Sequence, residues 1–435
     1  MQYYSTNKKA PMATLEKAVV KGLAEDKGLY MPESIKPLPK EFFDNIDKMS
    51  FQEIAYTVAD AFFGEDVDAE SLKKIVYDTL AFDCPVVPVT DNIYTLELFH
   101  GPTLAFKDVG ARFMARLLQY FLKKNGNDKG NVNVLVATSG DTGSAVANGF
   151  LGVEGIYVYV LYPKGKVSPI QECQFTTLGK NITAIEVDGV FDDCQALVKN
   201  AFMDAELNAH MKLTSANSIN VARFLPQSFY YFNAYARMKA LGKADELVMC
   251  VPSGNFGNIC SALFGHRMGL PIKRFVAANN ANDIFYNYLQ TGEYHPQPSK
   301  ATLANAMDVG DPSNFARIYD LYKGDHKAIT SLISGATYKD EQIRQTMREC
   351  YAETGYVLDP HGACGYQALK DLLQPGEVGV FCETAHPAKF KEKVDDILGT
   401  DIEIPQRLQD FMKGTKQSIA MSKDFADFKA FLMAE

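Results

Sequence analysis

The chain has 435 residues, with 44 basic and 53 acidic side chains and a formal net charge of -9. This length exceeds one ordinary hydrophobic core and predicts two or three domains. The acidic balance gives no overall attraction to nucleic acid or anionic lipid and favours a small-molecule substrate, while leaving room for one basic pocket that takes a phosphorylated ligand. Eight cysteines, at Cys84, Cys173, Cys194, Cys250, Cys260, Cys350, Cys364 and Cys382, include no CxxC pair, the pattern of reduced thiols in a cytoplasmic protein. Met1 to Ala10 is polar and leads into no apolar stretch, so no secretory or transit signal is expected. No apolar run reaches the ~20 residues of a membrane span, and the seven histidines form no HExxH, so no metal is expected.

In chain order, Thr14 to Leu23 and Ser50 to Phe63 carry apolar residues at helical spacing, separated by a proline-bearing turn region from Met31 to Pro39. These features predict a small helical domain over residues 1–90. Cys84-Pro85-Val86-Val87-Pro88 ends it, since each proline removes a donor and restricts its predecessor. The spacing from Val109 to Leu122 predicts a helix, and strands are expected at Val132–Ala137, Ile156–Leu161, Ile182–Val187, Leu247–Val251, Phe275–Ala278 and Val378–Cys382. Strands alternating with helices mean parallel sheets covered by helices, an α/β architecture, here divided into segments 91–215 and 216–435.

In such sheets ligands bind where a strand end turns into the next helix. After Leu247–Val251 comes Pro252-Ser253-Gly254-Asn255-Phe256-Gly257-Asn258, followed by a helical pattern from Ile259 to Met268. Its two glycines and a helix start suit an anion, so the loop reads either as a phosphate cradle or as an ordinary strand–helix turn. Thr138-Ser139-Gly140-Asp141-Thr142-Gly143-Ser144 repeats the arrangement, either gripping a carboxylate or phosphate or merely capping its helix through Asp141 or Thr142. Phe99-His100-Gly101-Pro102-Thr103-Leu104-Ala105-Phe106-Lys107-Asp108 places a lysine beside an apolar turn at a helix start. Desolvation and the helix dipole there disfavour the ammonium form and suit an amine nucleophile toward an aldehyde; the alternative is a solvated surface charge.

Taken in order, the lysine segment, the Ser139–Gly143 loop and the Ser253–Asn258 loop resemble fold-type II pyridoxal-phosphate (PLP) enzymes, the tryptophan synthase β superfamily. His100–Asp108, Ala137–Gly143, Gly28-Leu29-Tyr30-Met31-Pro32 and Ser215–Arg223 are similar to segments of the threonine synthase family within it. The resemblance implies two parallel-sheet lobes with a small helical N-terminal domain, and PLP held as a Schiff base by Lys107. It implies a cofactor phosphate bound by Gly254, Asn255, Phe256, Gly257 and Asn258, with Thr384 facing the pyridine nitrogen; otherwise Thr384 is a helix cap before Pro387. Asp141 falls where relatives carry an asparagine near the cofactor 3′-oxygen. Ser139, Gly140, Thr142 and Gly143 are expected at the substrate carboxylate, and Ser218, Asn220 and Arg223 at the substrate phosphate, where a guanidinium fork fits. The alternative for Arg223 is an exposed helix arginine.

The implied reaction is conversion of O-phospho-L-homoserine and water to L-threonine and phosphate by a cytoplasmic monomer or homodimer. Another fold-type II lyase, such as a serine or threonine dehydratase or a cysteine synthase, would share Lys107 and the glycine loop without needing a second phosphate grip. A non-catalytic sensor of amino-acid phosphates would not need Lys107. A nucleotide-binding protein lacks support, because neither a P-loop lysine nor G-x-G-x-x-G spacing is present.

Overall fold

A computed structural model describes residues 1–126 and 131–435. The N-terminal stretch adds short strands to its expected helices: β1 (Gln2–Ser5), β2 (Ala13–Thr14) and β3 (Tyr30–Pro32) form a sheet of order β2-β1-β3. Strands of two to four residues are too short to show a period in the sequence. The expected helix follows over Leu15–Lys21, with the Thr14 hydroxyl accepting the Lys17 N–H. Asp26 shapes the turn before β3, accepting from Ser5 Oγ at 2.6 Å and from the N–H groups of Lys9, Ala10 and Gly28 at 2.9 Å each. A Cβ at Gly28 would lie 1.9 Å from Ser5 Oγ and 2.8 Å from Asn7 N, so this turn admits only glycine. Further on, the helix Phe51–Phe63 starts with a capping box between Ser50 and Glu53 and buries Ile54, Val58, Phe62 and Phe63. Helices Lys40–Asn45 and Ala69–Thr79 flank it in the chain.

The remaining strands, in chain order, are β4 (Val86–Pro88), β5 (Ile93–Glu97), β6 (Val132–Ala137), β7 (Ile156–Pro163), β8 (Ile182–Asp188), β9 (Lys212–Ser215), β10 (Leu247–Pro252), β11 (Arg274–Asn279), β12 (Ile333–Thr337), β13 (Val378–Glu383) and β14 (Ile419–Ser422). They divide between two compact units that are interleaved in sequence. The first comprises Met1, Met31–Phe106 and Phe224–Glu403; the second comprises Gln2–Tyr30, Lys107–Arg223 and Ile404–Glu435. This division differs from three consecutive segments: the first 90 residues are shared between the units, and residues 404–435 join the unit of β6.

The first unit is built on a six-stranded sheet of order β12-β11-β10-β13-β5-β4, parallel except for the antiparallel pair β4–β5. Val248, Cys250, Val276 and Phe381 belong to its core together with Ala363, Tyr366 and Leu369 of the helix Pro360–Leu372. The second unit carries a five-stranded, wholly parallel sheet of order β14-β8-β7-β6-β9. Its core joins Leu135, Leu161 and Ile185 to Leu197 and Val198 of the helix Phe191–Met203 and to Phe428 and Leu432. Every residue of β6 and of β10 is buried, as their near-continuous apolar runs require of strands covered on both faces.

Candidate active site

In the first unit β10 and β13 are parallel neighbours, with Cys250 opposite Phe381, so the loops after Pro252 and Glu383 leave from the same end of the sheet. Ser253 is fixed by its N–H to Ala278 O and its hydroxyl to Val251 O, both 2.9 Å. Gly254 has no room for a side chain: a Cβ would lie 2.8 Å from Met307 Cα and 2.9 Å from Ala306 O. Phe256 sits in the left-handed region (φ 68°) and turns the chain into the helix Gly257–Arg267. Asn255 Oδ1 accepts the Ser313 N–H at 2.8 Å. Asn258 Oδ1 accepts from both Tyr230 and Tyr231 hydroxyls at 2.5 and 2.6 Å, which leaves its buried Nδ2 donor without a hydrogen-bond partner.

The loop after β13 is stitched to the segment that precedes the lysine. Phe106 N–H donates to Thr384 O at 2.8 Å, His386 N–H donates to Leu104 O at 3.0 Å, and Ala105 bridges Ala385. The buried Lys389 ammonium donates to Thr103 O at 2.8 Å, and Leu104 takes a left-handed turn (φ 61°) between them. Lys107 is the next residue after Phe106. Thr384 is buried and is not the cap of the short helix Pro387–Phe390; His386 is, through Nδ1 accepting the Ala388 N–H at 3.0 Å. Burial, reinforced by the nearby His100, pushes the His386 imidazole down to about 4, in keeping with a neutral ring that accepts.

In the second unit Lys107 is half-buried and opens the helix Lys107–Lys124. After β6, Thr138 Oγ1 accepts the N–H groups of Gly140 and Gly143 at 2.9 and 2.8 Å, curling the Ser139–Gly143 loop onto the start of the helix Asp141–Phe150. The N-cap is Gly140 (φ 144°), so neither Asp141 nor Thr142 caps this helix. Asp141 is buried and accepts from Gln171 Nε2 at 2.9 Å, whereas Ser139 and Thr142 are half-buried. Gln171, fully buried at the start of the helix Pro169–Thr176, is a residue the sequence reading passed over.

The segment after β9 is clasped beside this loop. Asn217 exchanges hydrogen bonds with the backbone of Ala137, Nδ2 to O at 3.0 Å and Oδ1 from N at 3.4 Å. Asn220 is buried with its side chain engaged by the main chain: Nδ2 donates to Val19 O and Ser215 O, and Oδ1 accepts the Ala222 N–H. Arg223 is fully buried rather than an exposed helix arginine, and its Nη1 donates to Ala216 O. A Cβ at Gly110 would lie 2.3 Å from Arg223 O and 3.2 Å from its Nε, so the first turn of the lysine's helix lies directly against Arg223. Within this unit, then, Lys107's helix, the Ser139–Gly143 loop and Arg223 converge. Ser218 is half-buried on the same segment.

A family model described as pyridoxal-phosphate dependent enzyme matches residues 86–381, and models of the threonine synthase N terminus and C-terminal region match residues 2–80 and 362–432. Threonine synthase of Haemophilus influenzae is 44% identical over 433 residues, covering 100% of each chain. The chain belongs to the threonine synthase family. The crystal structure of threonine synthase from Escherichia coli matches with a TM-score of 0.94 at 42% identity, covering 100% of both chains. PLP-bound threonine synthase from Brucella melitensis matches at 0.91 and 32% identity over 100% of this chain and 99% of that one. Membership in the threonine synthase family makes the chain a PLP-dependent enzyme of fold-type II architecture. The Ser253–Asn258 loop fits the phosphate of that cofactor: it has a glycine where backbone crowds, first-turn N–H groups that a helix cannot itself satisfy, and an amide donor on Asn258 without a partner. Among the described residues no helix is long and apolar enough to cross a membrane.

Proposed function

We propose that the chain converts O-phospho-L-homoserine and water to L-threonine and phosphate, as a cytoplasmic monomer or homodimer. The observation that carries the substrate assignment is the close approach of Gly110 to Arg223, which sets a buried guanidinium beside the first turn of the helix that Lys107 opens. A buried guanidinium in such a place suits a phosphorylated substrate better than an unphosphorylated amino acid.

Bound PLP supplies an electron sink that acidifies the substrate Cα. Lys107 would hold the cofactor, and its free amine would move protons at the substrate Cα and then at Cβ. Gly254, Asn255, Phe256, Gly257 and Asn258 would hold the cofactor phosphate, and the Thr384 hydroxyl would donate to the pyridine nitrogen, a weaker hold than a carboxylate would give. Asp141, fixed by Gln171, would face the cofactor 3′-oxygen. Ser139, Gly140, Thr142 and Gly143 receive the substrate carboxylate. Arg223 and Ser218 receive the substrate phosphate, with Asn220 anchoring their segment through its main-chain bonds. Contacts to the departing phosphate count most as charge develops on it.

The test is product analysis with O-phospho-L-homoserine. Phosphate and threonine are expected in equal amounts; phosphate released with a keto acid instead would assign the chain to elimination chemistry. Borohydride reduction of the holoenzyme followed by peptide mass analysis is expected to find the pyridoxyl group on Lys107 and on no other lysine.

A further inference from the structure

Residues Asn305–Met307 form a single 3-10 turn, and Ala306 O and Met307 Cα are the atoms that crowd Gly254. The turn is held from behind by a buried pair at the start of the helix Pro360–Leu372, His361 in its first turn and Asp359 as its N-cap. Ala306 N–H donates to His361 Nε2 at 3.1 Å, and His361 Nδ1 lies 2.5 Å from Asp359 Oδ2. Because Nε2 accepts, the proton of the neutral ring sits on Nδ1 and is donated to the Asp359 carboxylate, which fixes the tautomer. The side chains of His361 and Asp359 are only 2% and 0% exposed, so no bulk water competes for either bond. Asp359 is itself anchored by the Gly362 N–H at 2.8 Å, and the imidazole packs against the Phe390 ring with centroids 5.1 Å apart.

We propose that His361, oriented by Asp359, is a positioning residue for cofactor binding: it holds Ala306–Met307 against Gly254, so that the Ser253–Asn258 loop keeps the shape that receives the cofactor phosphate. The proposal rests on the assignment of that loop to the cofactor phosphate. Nothing in this role touches the cofactor ring. Its signature is therefore a loss specific to the phosphate, which a general weakening of the fold would not produce.

The experiment titrates the full-length apo-protein with PLP and, separately, with pyridoxal, which lacks the phosphate. His361→Ala is expected to weaken PLP by about tenfold, the scale of one buried hydrogen bond, and to leave pyridoxal unchanged. Asp359→Asn, nearly identical in size, turns the tautomer over, brings an Nε2–H against the Ala306 N–H, and is expected to lose as much. His361→Gln keeps an acceptor near the Nε2 position and is expected to stay within about twofold of the parent. If Asp359→Asn binds PLP as the parent does, or if the losses are equal for PLP and pyridoxal, the proposal is overturned. Should His361→Ala not fold, the order of Asp359→Asn and His361→Gln decides alone. Gly254→Ala separates the two levels. If it keeps the preference for PLP over pyridoxal, the assignment of the loop falls and this proposal with it. If it loses that preference while His361→Ala retains it, only the positioning role falls.

Discussion

At the scale of single residues, Asn258 is the sharpest feature of the loop proposed to hold the cofactor phosphate. One oxygen takes two tyrosine hydroxyls, and the nitrogen is left as an unpaired buried donor, an arrangement that costs stability unless a ligand completes it. A carboxylate at this position keeps both tyrosine bonds and removes the donor. Asn258→Asp is therefore expected to melt within a few degrees of the parent yet bind PLP at least about tenfold more weakly, checked by thermal denaturation of the apo-protein beside cofactor titration. Asn220 shows the reverse pattern, with both ends of its amide on main-chain groups, so its contribution is to hold the backbone. The candidate residues legible in the sequence, Lys107 and Gly254 among them, sit at helix starts and in loops whose chemistry is local: a glycine, a strand end and a helix start are neighbours in the chain. Gln171 and His361 were not legible. Their partners, Asp141 and Ala306, are 30 and 55 residues away, and nothing around either residue in the sequence marks the pairing.

At the scale of elements, the buried strands were the easiest to read. The expected Val132–Ala137 is β6, and five others differ only by a residue or two at their ends. What escaped were mostly sheet edges. β9, β12 and β14 each pair on one side only, and Ile333-Ser334-Gly335-Ala336-Thr337 carries too little apolar surface to announce itself. The start of β11 and the entry to β13, the two strands that flank β10, are tied by a bidentate pair: Arg274 Nε and Nη2 donate to Glu377 Oε2 and Oε1 at 3.1 and 2.7 Å. The guanidinium holds the Glu377 carboxyl down to about 2, from an ordinary value of 4.5. Because the folded value lies below the unfolded one, this carboxylate contributes stability that is fully present above about 4.5 and lost as pH falls through about 2. Glu377→Gln is expected to lower unfolding free energy by about 2 kcal/mol near neutral pH, and the gap to the parent should close on acidification through that window. Urea titrations of both proteins across pH measure it; a gap that is constant with pH would assign the loss to packing.

At the scale of the whole molecule, the cysteines report on integrity. Seven of the eight are buried, and Cys173 alone is partly accessible. Burial pushes the thiols of Cys194, Cys260 and Cys382 up to about 12, which makes them poor nucleophiles even where a reagent reaches them. A disulfide reagent should thus modify one thiol promptly in the native protein, none promptly in Cys173→Ser, and all eight only after denaturation. The interleaving of the units carries a different consequence, for the order in which the chain is made. The unit of β10 and β13 has its last segment once Glu403 has emerged, whereas the unit of β6 and β8 still lacks β14, which pairs with β8, and the Phe428 and Leu432 side chains that fill its core. During synthesis on the ribosome, β8 therefore remains an open edge over some two hundred further residues, a long interval in which a nascent chain has to be kept from pairing with the wrong strand.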